Sequence, residues 1–310
     1  MAQLPLIIVN PASAGGATGE AWPGVASDVR RHFGAFEVAF TGGGGEAAEI
    51  AEREARAGRR LVVACGGDGT ISEVANGILR SGAGAELGVL PSGTGGDFRR
   101  TLGVPSRAAD AARALREGET RALDAGRVTY ANARGEEESR FFVNVASFGM
   151  GGEVIRRVKS REGLGAGAAR LLGGKLSFAA AALQSALTFE KPSVRVSLDG
   201  GAESRLTVAN FCVANARYFG GGLMIAPMAE IDDGLLDFAV IGDFGKLELV
   251  KQVPGVYRGK HVDHPKFHHR RARSIRIETA EPARVQVDGE LAGSAPVTFT
   301  VEPGALRLAG

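Results

Sequence analysis

VVACGGDGTISEVANGILR, residues 62–80, sets an apolar run against an amphipathic one and puts three glycines and an aspartate between them. Arg60–Cys65 has the composition of a strand, and Ile71–Arg80 repeats its apolar residues at helical spacing. Glycine is costly in ordered backbone, because the chain gives up more freedom there than at any other residue. Three together at a strand-to-helix junction imply a need for bare backbone. Free N–H groups at such a junction, helped by the N-terminus of the next helix, form a cradle for an anion such as phosphate. Thr70 and Glu73 also spell T-x-x-E, a capping box for that helix. The box accounts for those two residues and leaves Gly66, Gly67, Asp68 and Gly69 without a purpose.

Outward from this junction, strands and helices alternate. Leu4–Val9, Phe36–Phe40 and Leu87–Leu90 read as strands, and Glu46–Ala57, Asp97–Leu102 and Ala108–Glu117 as helices. This is the pattern of an open, mostly parallel α/β sheet, which binds ligands at the carboxyl ends of its strands. Three glycine loops fall after strands: NPASAGG at 10–16, GGDGT at 66–70 and PSGTGGDF at 91–98. One sheet edge therefore gathers all three. Neither the Walker lysine motif nor the Rossmann glycine fingerprint occurs in the required strand–loop–helix setting, so a phosphate reading rests on these loops alone.

Beyond about residue 120 the pattern changes to short strands: Ala122–Tyr130, Phe141–Ala146, Val194–Leu198, Leu206–Ala214, Leu235–Ile241, Ser274–Thr279 and Val285–Val287. Asp-Gly turns punctuate them, as in an antiparallel β-sandwich. The expected division is an α/β nucleotide-binding domain over 1–121, a sandwich domain for the substrate over 122–294, and a final segment, 295–310, returning to the first. RGEEESR at 134–140 reads as a solvated hairpin loop, and the alanine-rich 166–187 as a helix packed on the sandwich. His261, His264, His268 and His269 lie among basic residues in 260–273, which reads as a solvated loop; a zinc site lacks partners, and a cationic face toward lipid is the sharper alternative.

Composition narrows the function classes. A net charge of +2 over 310 residues argues against a nucleic-acid-wrapping protein. Cys65 and Cys212 are far apart in apolar runs, which points to buried thiols and a reducing cytoplasm rather than a disulfide scaffold. The N-terminal stretch has no basic lead and no signal-length core, and Arg170 and Lys175 interrupt the one long apolar segment, so any membrane contact is expected to be peripheral.

Asn10-Pro11 with Ser13 and Gly15, then GGDGTISEVANGI, then LPSGTGGDF, resembles the loop series of the diacylglycerol kinase catalytic domain family. That family holds soluble bacterial lipid kinases beside sphingosine and ceramide kinases, with NAD kinases more distant. FFVNVASFGMGGEV, the segment from Asn215 through PMAEIDDGLLDFAVI, the His-rich block and VQVDGE continue the likeness in the family's order. It implies a two-domain NAD kinase/diacylglycerol kinase-like fold and an ATP- and Mg2+-dependent kinase acting on a lipid hydroxyl, most like a diacylglycerol kinase. By the same resemblance Asn10, Ser13, Thr41, Gly66, Gly67, Asp68, Gly69, Thr70, Glu73, Gly93 and Thr94 line the ATP site. Asp68 and Asp97 orient magnesium through its water shell, Glu290 is the base that takes the hydroxyl proton, and Asp288 supports it. Asp233 gives a side-chain ligand to a structural magnesium, with backbone oxygens from Glu230 and Leu235. The partner is a lipid at the membrane surface, approached from the cytoplasm by a chain that does not span the bilayer; a homodimer is left open.

Read without the resemblance, V-D-G-E is also an ordinary type I′ hairpin, and Asp232-Asp233-Gly234 another turn. Two positions depart from the family pattern. Gly96 stands where asparagine is usual, which keeps a left-handed loop and loses an amide. Gly151 stands where sphingoid-base kinases have an aspartate, which favours a glycerol-type substrate. The rival readings are a kinase of NAD or another small hydroxyl compound, and a non-catalytic nucleotide- or lipid-binding regulator of the same fold.

Overall fold

A computed structural model of the chain describes residues 3–92, 96–132, 134–149, 193–208, 210–242, 244–279 and 284–310. It comprises two compact units, Met1–Ala125 with Pro303–Gly310, and Gly126–Glu302. The expected alanine-rich helix at 166–187 and Gly151 lie outside the described residues, as do Gly93 and Thr94.

The first unit is a parallel sheet with helices on both faces. Its strands are β1 (Leu6–Val9), β2 (Glu37–Phe40), β3 (Leu61–Gly66) and β4 (Glu86–Pro91), joined at one edge by the end of β15 (Glu290–Leu308). The order is β15-β4-β3-β1-β2, every pairing parallel. Helices α2 (Glu46–Arg56) and α3 (Asp68–Ser81) pack together, and α1 (Ala17–His32) packs on α5 (Ala108–Glu117), with the short α4 (Asp97–Leu102) before it. Alternation along the strands sends Ile7, Val9, Val63 and Cys65 to the face covered by Val29, Ala111, Ala112 and Leu115. Burial pushes the Cys65 thiol up to about 12, so it packs as a hydrophobe. Helix α1 is an addition to the sequence reading. Gly19, Pro23 and Gly24 disfavour a helix here, yet the segment holds as one where Val29 is buried and Trp22 packs edge-on against Phe36 and Phe40.

The second unit is an antiparallel β-sandwich. One sheet runs β12 (Phe267–Ala272), β11 (Leu236–Ile241), β10 (Asn210–Ala214), β7 (Val145–Gly149), β14 (Arg284–Val287) and the start of β15. The other holds β9 (Ser204–Thr207), β8 (Ser193–Leu198), β13 (Ser274–Thr279), the middle of β15, β5 (Arg121–Ala131) and β6 (Glu137–Phe142). Strand β15 pairs with β14 through Glu290–Ser294 and with β13 through Val297–Thr300, so it serves both sheets. Between them lie Phe142, Phe148, Phe211, Phe238, Ile275 and Phe299, all buried. Cys212, Ala214 and Ala239 face the opposite way, into a second core with Ile225, Ala226 and Phe267.

Three sequence expectations change here. Phe141–Ala146 is two strands, β6 and β7, and Leu206–Ala214 is likewise β9 and β10. RGEEESR is only partly a loop, since Glu137–Arg140 belong to β6. The His-rich segment is ordered: Lys260–Asp263 forms a 3-10 turn and Phe267–Ala272 is β12. Its histidines separate. His261 is buried with Nε2 at 3.0 Å from the Ile225 carbonyl, and His269 pairs with the fully buried Asp237. Helix α6 (Lys246–Tyr257) precedes this segment and was not foreseen.

Candidate active site

Strand register aligns the carboxyl edge of the first unit. Val9 lies beside Phe40 and Cys65, and Cys65 beside Leu90, so Thr41, Asn10, Gly66 and Pro91 stand in a row. The backbone ladder continues one step past the strands, with Thr41 N–H donating to Val9, Asn10 N–H to Cys65 and Ser92 N–H to Gly66. In the order β4-β3-β1-β2 the connections reverse direction between β1 and β3, where open sheets of this kind bind ligands. The loops after β1 and β3 meet at that point.

Their contact is made by side chains. Asn10 Nδ2 donates to Thr70 Oγ1 at 3.1 Å, and Ser13 Oγ lies 3.5 Å from the same oxygen. Asn10 Oδ1 takes the Ala12 N–H at 3.1 Å and shapes its own loop. The capping box expected of Thr70 and Glu73 does not form. Helix α3 starts at Asp68 with Gly67 as N-cap, which moves Thr70 into the first turn, where its hydroxyl faces Asn10. Gly67 brings no side chain to the helix N-terminus, so the first-turn N–H groups keep no side-chain cap.

The three glycines have separate reasons. A Cβ on Gly66 would lie 2.5 Å from Thr70 Oγ1 in the first turn of α3 and 3.1 Å from Ser13 Oγ of the loop after β1, so close packing at this junction demands the glycine. A Cβ on Gly67 or Gly69 would meet nothing within 4 Å. Those two keep a surface bare. Gly66, Gly67 and Asp68 line a cavity of about 160 Å³ with Ser92, Arg99 and Arg100. The arginines and Ser92 were not singled out from the sequence; the signal was FRR directly after Asp97, one turn into the helix that follows a glycine loop.

Asp68 is tied down. Its Oδ2 accepts the Asp97 N–H and its Oδ1 the Phe98 N–H, both at 3.0 Å, so it caps α4 from a distance. Each oxygen keeps a second lone pair, enough for the water shell of a magnesium ion. Asp97 is buried and paired to Arg100 at 2.6 Å.

In the second unit Asp288 and Gly289 have φ of 47° and 86°, and Val287 pairs with Glu290, so the dipeptide is the centre of a β14–β15 hairpin. The Asp288 carboxylate accepts three N–H groups, Val143 at 3.0 Å and Asn144 and Val145 at 3.1 Å. It thereby fixes the break between β6 and β7. Glu290, next along the chain, keeps 43% of its side chain exposed and meets Arg140 Nη1 at 2.9 Å.

Asp233 Oδ1 accepts the Leu235 N–H at 3.0 Å. Its Oδ2 is buried without a hydrogen-bond partner and lies 3.2 Å from Arg271 Nη1. Burial holds this carboxyl above its ordinary range, against the pull of the Leu235 N–H and of Arg271. An unbonded carboxylate oxygen suits a hard cation, and Arg271, which also stands 3.7 Å from Glu230 and 3.4 Å from Asp237, competes for it.

Comparison with known proteins agrees with this architecture. Residues 5–128 match the family described as the diacylglycerol kinase catalytic domain, and residues 145–310 the YegS C-terminal NAD kinase beta sandwich-like domain. A probable lipid kinase, YegS-like, of Pseudomonas aeruginosa is 33% identical over 85% of this chain and 81% of its own. A diacylglycerol kinase of Mycobacterium tuberculosis is 30% identical over 97% of this chain and 93% of its own. A crystal structure of a putative diacylglycerol kinase from Bacillus anthracis superposes with a TM-score of 0.78 at 26% identity, covering 99% and 95% of the two chains. Yeast NADH kinase shares the fold alone, with a TM-score of 0.52 at 11% identity.

Proposed function

This chain belongs to the diacylglycerol kinase catalytic domain family of lipid kinases, and we propose that it moves the γ-phosphoryl group of ATP to a lipid hydroxyl, turning diacylglycerol into phosphatidic acid. The observation that carries the nucleotide half is the bare junction at Gly67 and Gly69, with an uncapped helix N-terminus and two guanidinium groups around one cavity.

Phosphoryl transfer asks for alignment, neutralised charge and a proton acceptor. In the first unit Asn10, Ser13 and Thr70 lock the loops, the amides of α3 would take the phosphates, and Thr41, at the same edge, with Glu73, Gly93 and Thr94 would complete the nucleotide site. Asp68 and Asp97 would hold a magnesium ion through water, and that ion would supply neutralisation of phosphate charge. In the second unit Asp288 braces the hairpin and Glu290 takes the proton of the attacking hydroxyl, its carboxylate oriented by Arg140. Asp233, with the Glu230 and Leu235 carbonyls, would hold a structural magnesium. The acceptor reaches the protein at a membrane surface; among the described residues no helix is long and apolar enough to cross one.

The test is purified protein with labelled ATP, magnesium and mixed micelles of diacylglycerol, beside monoacylglycerol, sphingosine, ceramide and NAD. Label should pass to diacylglycerol, and Glu290→Gln should lower kcat by about 100- to 10,000-fold with an unchanged unfolding midpoint. Label on NAD alone, or full turnover in Glu290→Gln, would sink the proposal.

A further inference from the structure

The glycine at position 96 uncovers a guanidinium. Gly96 is left-handed, φ +65°, at the N-cap of α4, and a Cβ on it would sit 3.1 Å from Arg99 Nε and 3.8 Å from Nη2. The remaining nitrogen of that group, Nη1, donates to the Val104 carbonyl at 2.8 Å. Arg99 is therefore clamped by one nitrogen, with its Nε–Nη2 edge toward the side-chain-free backbone of residue 96, and both residues line the cavity shared with Gly67 and Asp68. That edge offers two parallel N–H groups, the geometry that takes two oxygens of one phosphate. Nearby carboxylates are engaged elsewhere: Asp68 with the amides of Asp97 and Phe98, and Asp97 with Arg100.

We infer that Arg99 is a phosphate-binding residue, whose Nε–Nη2 edge grips the polyphosphate of the nucleotide because residue 96 has no side chain to cover it. This rests on the reading of the cavity as a nucleotide site. The role differs from that of a loop brace, which would leave the discrimination between phosphorylated and bare nucleoside untouched. It also makes the two positions interdependent, since an asparagine amide at 96 would occupy the edge that the phosphate needs.

Calorimetric titration of the full chain with ATP, in magnesium, and with adenosine tests it without any lipid. Arg99→Gln should weaken ATP about 10- to 100-fold and change adenosine less than about threefold. In a Gly96→Asn background the same substitution should cost ATP less than about threefold. Arg99→Lys, which keeps a charge and loses the fork, serves if the glutamine variant fails to fold, and should also weaken ATP selectively. Unchanged ATP affinity, equal losses for ATP and adenosine, or additive effects at 96 and 99 would each overturn the inference. Wild-type protein that binds no ATP would overturn the nucleotide reading itself, before any variant is compared.

Discussion

Two hairpins of the second unit share one dipeptide and part company after it. Asp199-Gly200 joins β8 to β9 and Asp288-Gly289 joins β14 to β15, with both residues left-handed in each turn, φ of 50° and 70° against 47° and 86°. In both, the aspartate accepts backbone N–H groups from a distant segment: Asp199 from Arg273 and Ser274 at 2.8 Å, Asp288 from Val143, Asn144 and Val145. The first is exposed and is followed by Gly201; the second is half-buried and is followed by Glu290. Asp-Gly thus encodes the turn and the brace in each place. The proposed chemistry enters only with the residue after the turn and with what the brace holds.

The comparison breaks most visibly at Asp288. Removing its carboxylate in Asp288→Ala leaves three N–H groups without their acceptor in the gap between β6 and β7, and the chain should lose about 3 kcal/mol or more in urea unfolding. A loss under about 1 kcal/mol would mean that water replaces the carboxylate and that the break between the strands is held by something else. Glu290→Gln, two residues away, should leave the unfolding curve in place, which separates the brace from the proposed base.

Asp68 extends the comparison to the first unit, where an aspartate before glycine opens a helix instead of a hairpin. It caps two N–H groups of α4 at 3.0 Å, fewer than Asp288 holds, and Asp68→Ala should cost about 1–2 kcal/mol. Its larger consequence should fall on magnesium-dependent ATP binding, because the same carboxylate lines the cavity. Equal ATP affinity in wild type and Asp68→Ala, by calorimetry in magnesium, would reduce it to a cap.

These partners explain what the sequence disclosed and what it withheld. The parallel half was legible because each glycine loop follows its strand directly, so spacing alone ordered β1, β3, β4 and their loops. Helix α1 went unassigned, because Gly19, Pro23 and Gly24 weaken its helical signal and tertiary packing of Trp22 and Val29 keeps it. The break after Phe142 could not be seen in FFVNVA, an apolar run interrupted only by Asn144, since the acceptor that imposes it is Asp288, far downstream. For the same reason Asp68 read as a magnesium residue only; its cap partners lie at 97 and 98. Strand β12 was hidden by its charges, which suit its place: among the described residues it pairs only with β11, and basic side chains on an edge discourage further pairing.

The smallest effect belongs to Asp199. Its two N–H partners lie on the exposed end of β13, where water can take over, so Asp199→Ala should cost about 1 kcal/mol and leave lipid phosphorylation unchanged. The residue still sits at φ 50°, a conformation aspartate tolerates and alanine does not, and part of that loss is backbone strain. Asp199→Gly removes the strain and the carboxylate together, which isolates the two hydrogen bonds. If Asp199→Gly costs as much as Asp288→Gly, the burial of the receiving amides is irrelevant and the turn itself sets the energy. If it costs a fraction of that, the stability of the β14–β15 hairpin comes from where its carboxylate lands rather than from the dipeptide, and the same turn has been put to two unequal uses.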